Sequence, residues 1–227
     1  MRHKLNKSPS ATARLGRRML WSGVAAPLCV ATSIIVSSLI NPSVNLMRQS
    51  ISLLSEGPHG FFERAGFVIG GAFIVAFAWT VRQLWPQAQS LARTQTAAGG
   101  ALVVTGLAIQ QGLAPTHGFR IPSPWGALTK MGVIHVVAAG VFFGALIVSC
   151  GTVAQGLLTN PQWRRPAAYS LFSGAAIALL LPAFVVTADL GGPAGALERL
   201  AGLVGALWEG WLALWLQGQT HRRYILS

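Results

Sequence analysis

The sequence alternates between long apolar runs and short polar connections. A helix needs about 20 mostly apolar residues to cross the hydrocarbon core of a bilayer, and six runs come close to that length. The connections are rich in Pro, Gly and Asn, which favour turns, and none is long enough to form a soluble domain. The pattern predicts an all-α, polytopic membrane bundle of six transmembrane helices. The predicted spans are residues 19–40, 65–85, 97–114, 131–157, 167–188 and 200–217.

The composition also indicates a lipid environment. Of the 227 residues, 52% are hydrophobic and only 10% are charged, whereas about a quarter of the residues of ordinary soluble domains are charged. The formal net charge of +12 could indicate nucleic acid binding. However, the Lys and Arg residues are distributed between the apolar runs instead of forming one basic patch with aromatic residues. The sequence therefore predicts membrane lipids, and no nucleic acid, as partners.

The distribution of Lys and Arg predicts the orientation. Twelve of them lie in the arm 1–18, around the second and fourth connections and in the tail 218–227, whereas five lie on the other side. By the positive-inside rule, both termini are expected in the cytoplasm. A basic cytoplasmic face would attract anionic headgroups. The Ala-, Gly- and Arg-rich composition is typical of GC-rich bacteria, so we expect a multi-pass protein of a bacterial plasma membrane.

Two ionisable residues inside predicted spans are candidates for chemistry, because a charge at the bilayer centre costs at least about 2.5–3.5 kcal/mol. Glu209 shares a helical face with Gly202 and Gly205, so it is expected to face the bundle, either neutral or paired with a cation. His135 lies about one turn into the fourth span, where an imidazole would suit proton transfer or a ligand contact. Ordinary hydrogen bonding to a neighbouring helix or loop is the structural alternative for both residues.

Two further patterns predict how the helices pack. Glycines four residues apart let helix backbones approach closely in lipid, and we interpret two such pairs as packing contacts within the chain. The pairs are Gly66 with Gly70 and Gly140 with Gly144. Trp208, Trp211 and Trp215 repeat at helical spacing on the last span. This stripe is typical of a lipid-facing or interfacial anchor.

The chain has no sequence motif for nucleophilic or metal-dependent catalysis. Its many serines occur without GxSxG, and such hydroxyls usually cap a helix or bond their own backbone. Its histidines lack HxH, HExxH or HxxxH spacing, so we predict no metal and no cofactor. Residues 45–54 mix apolar and polar positions and predict a short helix lying in the interface. There Arg48 would face the mouth of the bundle or a lipid phosphate.

Several short pieces, in a fixed order over roughly residues 17–217, carry a family resemblance. They are Arg17-Arg18-Met19-Leu20, Ser22-Gly23, Arg48-Gln49-Ser50-Ile51-Ser52-Leu53, Phe77-Ala78 with Arg82, Gly132-Val133-Ile134-His135 with Phe142, Tyr169, and Gly192-Pro193 to Arg199-Leu200 with Trp208. In these pieces the chain resembles the DUF998 family of uncharacterised prokaryotic membrane proteins with about six spans. The resemblance implies that Arg48, Ser52, His135 and Arg199 are the polar residues of the family pattern. Glu209 stands outside that pattern.

The polar residues suggest three functional classes. We expect first a binding or accessory protein for a lipid or small amphiphile, with an outward-facing polar pocket. Its candidate binding residues are Arg48, Ser52, His135, Arg199 and Glu209. Two arginines and a histidine with few nearby acids would suit an anion. The alternatives are a membrane-embedded enzyme acting on a lipid or isoprenoid, with Glu209 or His135 as acid or base, and a proton-coupled small-molecule transporter.

Overall fold

The computed structural model describes residue 16 and residues 18–55, 59–108 and 130–226, with residues 221–226 described as backbone only. Within these residues the chain forms six long α-helices, a few short 3-10 turns and no strand. The predicted all-α fold is therefore confirmed. The helices are α1 (Ser22–Ile40), α2 (Phe61–Leu84), α3 (Gln89–Leu107), α4 (Lys130–Leu158), α5 (Arg164–Asp189) and α6 (Ala194–Leu226).

Four stretches of the described chain are long and apolar enough to cross a membrane. They are Ser22–Ile40, Phe61–Leu84, Lys130–Leu158 and Pro161–Asp189. The third and sixth helices correspond to the other two predicted spans but are less apolar, because α3 carries Arg93 and Gln95 and α6 carries Glu209 among its tryptophans. The α3 helix also begins eight residues before the predicted span. Residues 109–114 of that span lie outside the described residues, and α6 continues through the predicted polar tail to Leu226.

The six helices form a closed ring. Each helix packs against the next one along the chain, and α6 packs against α1 to complete the circle. Because consecutive helices joined by short turns run in opposite directions, residues 41–55, residues 59–60 and the turn between α5 and α6 lie at one end of the bundle. The turns at 85–88 and 159–163 lie at the other end. The ring encloses a core that includes Phe77, Leu146, Trp208 and Leu212.

Large apolar side chains cover the outside of the ring. Leu39, Phe172 and Leu179 are 75%, 71% and 74% exposed, and similar side chains point outward from the other helices. A soluble monomer rarely exposes apolar patches of this extent. The same surface is favourable against lipid tails, so the outer face indicates a membrane protein.

The two predicted glycine pairs behave differently. Gly66 and Gly70 face α1, where an added Cβ would collide with Ser33 and with a Val30 methyl group. This pair is therefore a helix contact, as expected. Gly140 and Gly144 have nothing within 4 Å of an added Cβ among the described residues. The prediction of a packing contact at this second pair is wrong, because that face of α4 points away from its neighbours.

A closer approach joins α2 and α3. A Cβ added to Gly71 would lie 2.6 Å from the Gly99 carbonyl oxygen, and one added to Gly99 would lie 2.7 Å from the Gly71 carbonyl oxygen. Real Cβ atoms do not come this close to backbone oxygens, so only glycine fits at both positions. The backbones of the two helices are therefore in direct contact near the middle of α2 and α3.

The tryptophans of α6 face neighbouring helices. Trp208 is fully buried and its indole N–H donates to Ser170 Oγ at 3.1 Å. The next two pack edge-to-face on aromatic rings of the preceding segment: Trp211 on Tyr169 and Trp215 on Trp163, with centroid distances of 4.9 and 5.5 Å. The prediction of a lipid-facing stripe is wrong for Trp208. A buried indole needs a hydrogen-bond acceptor, and α5 supplies one.

Candidate functional site

The connection between α1 and α2 folds back over one end of the bundle. The Ala196 backbone N–H donates to the Met47 carbonyl at 3.0 Å. Arg199 Nη1 donates to the carbonyls of Leu46 and Gln49, both at 2.8 Å. The first turns of α6 therefore bind a short stretch of the connection through its carbonyl oxygens and fix its position over the helices.

Two residues later the connection becomes a 3-10 helix, Ile51–Ser55. The Ile51 N–H donates to Glu198 Oε2 at 2.7 Å, and Ile51 and Leu54 are buried. The sequence predicts a longer helix over 45–54, and this extent is wrong, because the helix comprises only Ile51–Ser55. The regular part is shorter and packs on the bundle, because a carboxylate of α6 satisfies its first N–H.

His135 connects this 3-10 helix to the interior. It is 1% exposed, and its Nδ1 lies 2.9 Å from the Thr105 carbonyl oxygen and 3.1 Å from that of Ala108. Its Nε2 lies 2.8 Å from Ser52 Oγ. Carbonyl oxygens only accept hydrogen bonds, so these contacts assign the proton to Nδ1. In the neutral ring Nε2 is then an acceptor, and the Ser52 hydroxyl donates to it.

The end of α3 explains why the imidazole is held there. The last four carbonyls of an α-helix have no N–H partner inside the helix. Thr105 lies in the last turn of α3, and His135 lies in the second turn of the adjacent α4. The histidine therefore satisfies a helix-end carbonyl with one nitrogen and holds Ser52 with the other.

A second polar cluster lies at the same end. Glu63 is fully buried in the first turn of α2, and neither carboxyl oxygen has a hydrogen-bond partner among the described residues. Glu198 and Arg199 of α6 are its nearby ionisable groups. The sequence predicts Glu63 outside the second span, but α2 begins at Phe61 and places it inside the helix. An acid in the first helical turn was the available signal, because it complements the helix dipole.

Glu209 faces the interior, about three turns further along α6. It is 3% exposed, and its Oε2 accepts from Gln95 Nε2 of α3 at 3.0 Å. Its partner is thus a neutral amide. Glu209 Oε1 and Gln95 Oε1 have no partner among the described side chains and backbone. Glu209 lies at the wall of a cavity.

The cavity lies inside the ring, with a volume of about 100 Å³. Its walls are mainly apolar, with contributions that include Val30, Phe67, Leu102, Phe142 and Leu146. The polar groups lie towards the two ends: Ser52 and Glu198 at one, Glu209 at the other. At 1.5 Å per residue, the eleven residues from Glu198 to Glu209 correspond to about 16 Å along α6. The cavity is therefore narrow and elongated.

The structure brings together some of the sequence-predicted residues. Ser52 and His135 are in direct contact, and Arg199 binds Gln49, three residues before Ser52. Glu209 lies at the far end of the same cavity. Arg48 belongs to the same connection but its side chain is exposed. The two arginines and the histidine therefore do not converge on one point. Arg199 Nη1 already contacts three backbone carbonyls.

Comparison with known proteins gives one match. Searches of curated proteins and of solved structures found no match to the chain. The profile of the family described as "Protein of unknown function (DUF998)" matches residues 24–215, which include α2 to α5, most of α1 and α6, and the residues of the site. The chain therefore belongs to the DUF998 family, as its sequence pieces indicated.

Proposed function

We propose that this protein binds a lipid or another small amphiphile, with the apolar part of the ligand in the central cavity. The proposal rests on the cavity inside the bundle, which is apolar along its length and has polar groups at its ends. An engineered apolar cavity of about 150 Å³ takes up benzene, so about 100 Å³ accommodates a short apolar segment. The narrow shape favours a chain over a compact ring.

The polar end of the ligand lies beside the connection between α1 and α2. Ser52 and Glu198 line the cavity there, and the buried Nη2 of Arg199 has no hydrogen-bond partner among the described residues. Hydrogen-bonding groups at one end of an apolar cavity are the usual means of orienting a ligand. An amphiphile satisfies both parts of this site, whereas a uniformly polar solute would lose its hydration in the apolar part.

Binding is tested by filling the cavity. Gly202 lines it, and a Cβ there has nothing within 4 Å. Gly202→Leu is therefore expected to fold and to weaken binding of cis-parinaric acid, a fluorescent fatty acid, by about tenfold or more in a fluorescence titration of the purified protein. A lost methylene contact is worth about 0.8 kcal/mol, and displacing two of them exceeds a factor of ten.

The matched control is Gly140→Leu. This glycine also has open space around it among the described residues, but it lies on the outer face of α4 and does not line the cavity. We expect its affinity to equal that of the wild type. Equal affinities for all three proteins, or no binding by the wild type, would contradict the proposed function.

We further propose that all six helices cross a bacterial plasma membrane and that both termini are cytoplasmic. The α6 helix exposes Leu203, Leu207 and Leu214 outward, as a lipid-facing span does. The α3 helix packs against both α2 and α4 and buries nine of its 19 residues, so only part of its surface needs to be apolar. Exposed arginines at the end of the turns 85–88 and 159–163 would attract anionic headgroups of the cytoplasmic leaflet. They are Arg82, Arg93, Arg164 and Arg165.

Topology is tested by labelling single cysteines in a cysteine-free background with a membrane-impermeant maleimide. Met47→Cys is expected to react in intact cells. Gln87→Cys, Asn160→Cys and Gly218→Cys, at exposed positions of the other end, are expected to react only after permeabilisation. If α3 did not cross, Asn160→Cys would react from outside. Reaction of Gly218→Cys in intact cells, with Asn160→Cys protected, would place α6 outside the membrane.

A further inference from the structure

We propose that Ser52 is a nucleophile activated by His135, and that the protein cleaves a carboxylic ester whose acyl chain occupies the central cavity. This inference rests on the proposed function, because the cavity binds the chain. It adds a reaction and a substrate class, an acyl ester of a lipid. The carrying observation is the contact of 2.8 Å between Ser52 Oγ and His135 Nε2.

The contact has the geometry and polarity that nucleophilic catalysis requires. A serine hydroxyl is a weak nucleophile until a base within about 2.6–3.2 Å takes its proton. The base must in turn be held by a third group on its other nitrogen. Here the Thr105 and Ala108 carbonyls fix the proton on Nδ1, which leaves Nε2 as the acceptor facing Ser52. The backbone carbonyls thus fix the tautomer and orientation of this imidazole, which is one of the roles of the carboxylate in a catalytic triad.

His135 and Ser52 differ in their exposure to the cavity. His135 is 1% exposed and is shielded between α3 and α4. Ser52 is half-buried and lines the cavity, so its oxygen is accessible from the space that holds the ligand. A short apolar segment of the acyl chain in the cavity, with the carboxyl group at the Ser52 end, brings the carboxyl carbon to the level of Ser52. The base is protected from solvent while the nucleophile meets the substrate.

Arg199 is the candidate donor for the developing negative charge, because it binds the segment that carries the nucleophile. Arg199 Nη1 binds the carbonyl of Gln49, three residues before Ser52. Its Nη2 is buried and has no hydrogen-bond partner among the described residues. A fixed charged donor close to a forming oxyanion is usually the largest single contribution to lowering the barrier of acyl transfer.

The reaction proceeds in two balanced steps. Ser52 Oγ attacks the ester carbonyl carbon as its proton passes to His135 Nε2. The carbon–oxygen bond to the alcohol then breaks, and the alkoxide takes that proton and leaves as the alcohol. Water next attacks the acyl-serine ester, again losing its proton to His135 Nε2. The serine oxygen leaves with that proton, which releases a carboxylic acid and restores the free enzyme.

The experiment uses the purified full-length chain and an alkyl fluorophosphonate, which phosphonylates an activated serine and releases fluoride. The expected result is one adduct on intact mass spectrometry, mapped to the peptide that contains Ser52. Ser52→Ala should give no adduct. His135→Gln should react at least about 100-fold more slowly than the wild type, since 100-fold is the lower end of the usual effect of a general base. Ser50→Ala, two residues away in the same connection, should react like the wild type.

Binding of cis-parinaric acid separates the two proposals. If Ser52→Ala binds the fatty acid like the wild type and takes no adduct, both proposals stand. If the wild type binds the fatty acid but shows no adduct on Ser52, or reacts equally after His135→Gln, the nucleophile is refuted and the binding function stands. A hydrogen bond that only holds the connection in place would lower the unfolding temperature of both variants and leave the wild type unreactive, which also refutes the inference.

Discussion

Replacing Gly71 with valine is expected to lower the free energy of unfolding by about 3 kcal/mol, at the upper end of the usual cost of overpacking. The new Cβ would lie 2.6 Å from the Gly99 carbonyl oxygen and 2.8 Å from a methyl carbon of Val103. The first of these atoms is backbone of a neighbouring helix, so α2 and α3 have to move apart. Unfolding by SDS titration in mixed micelles measures the loss.

Gly140→Val is the control for this prediction. It makes the same chemical change in a long apolar helix, but a Cβ there has open space among the described residues. We expect its free energy of unfolding to stay within about 0.5 kcal/mol of the wild type, as for surface substitutions. Equal losses at Gly71 and Gly140 would mean that α2 and α3 do not make the close approach described here.

Replacing Arg199 with methionine is expected to cost about 3 kcal/mol of stability. The guanidinium Nη1, which has two N–H groups, lies 2.8, 2.8 and 3.0 Å from three carbonyl oxygens, so one N–H is shared between two of them. A hydrogen bond to a charged group contributes about 1.5–3 kcal/mol, and partial exposure at this end of the bundle reduces the sum. Methionine keeps the apolar stem, so the change removes mainly the donors. The SDS titration measures the loss, and hydrogen exchange of the amides of residues 46–53 should become faster.

Arg48→Met is the control, because Arg48 lies in the same connection with an exposed side chain. It is expected to leave both the stability and the hydrogen exchange of the connection unchanged. If both variants kept the stability of the wild type and both lost bound anionic lipid in native mass spectrometry, Arg199 would be an anion-binding residue rather than a support of the connection.

The sequence indicated the members of the site but not their contacts. Ser52 and His135 both belong to the family pattern, yet they lie 83 residues apart and no local motif joins them. The GxSxG motif indicates a sharp turn that presents the serine within one segment. Here the serine lies in the α1–α2 connection, the base lies on α4, and the carbonyls that orient the base lie at the end of α3. Glu63 was expected at the outer end but not within the second helix, because the predicted span began at residue 65, after it.

The surroundings of some helix faces were predicted correctly and those of others were not, for a geometric reason. Periodicity shows which residues share a face, but it does not show which neighbour that face meets. Glu209 was expected to face the bundle and it does, since a carboxyl group avoids lipid. A helix face with Trp208 or with Gly140 can lie against lipid or against another helix at similar cost. The sequence pattern therefore did not determine which of the two it meets.

The sequence by itself determined the all-α membrane architecture, because the number of consecutive apolar residues reflects the thickness of the bilayer. It also determined that the few ionisable residues between the arm 1–18 and the tail 218–227 have a structural or functional role, since placing a charge in lipid is costly. Only the tertiary structure decided that the α1–α2 connection folds back and sets Ser52 against His135. That contact depends on distances between segments remote in sequence, which result from the packing of the whole ring.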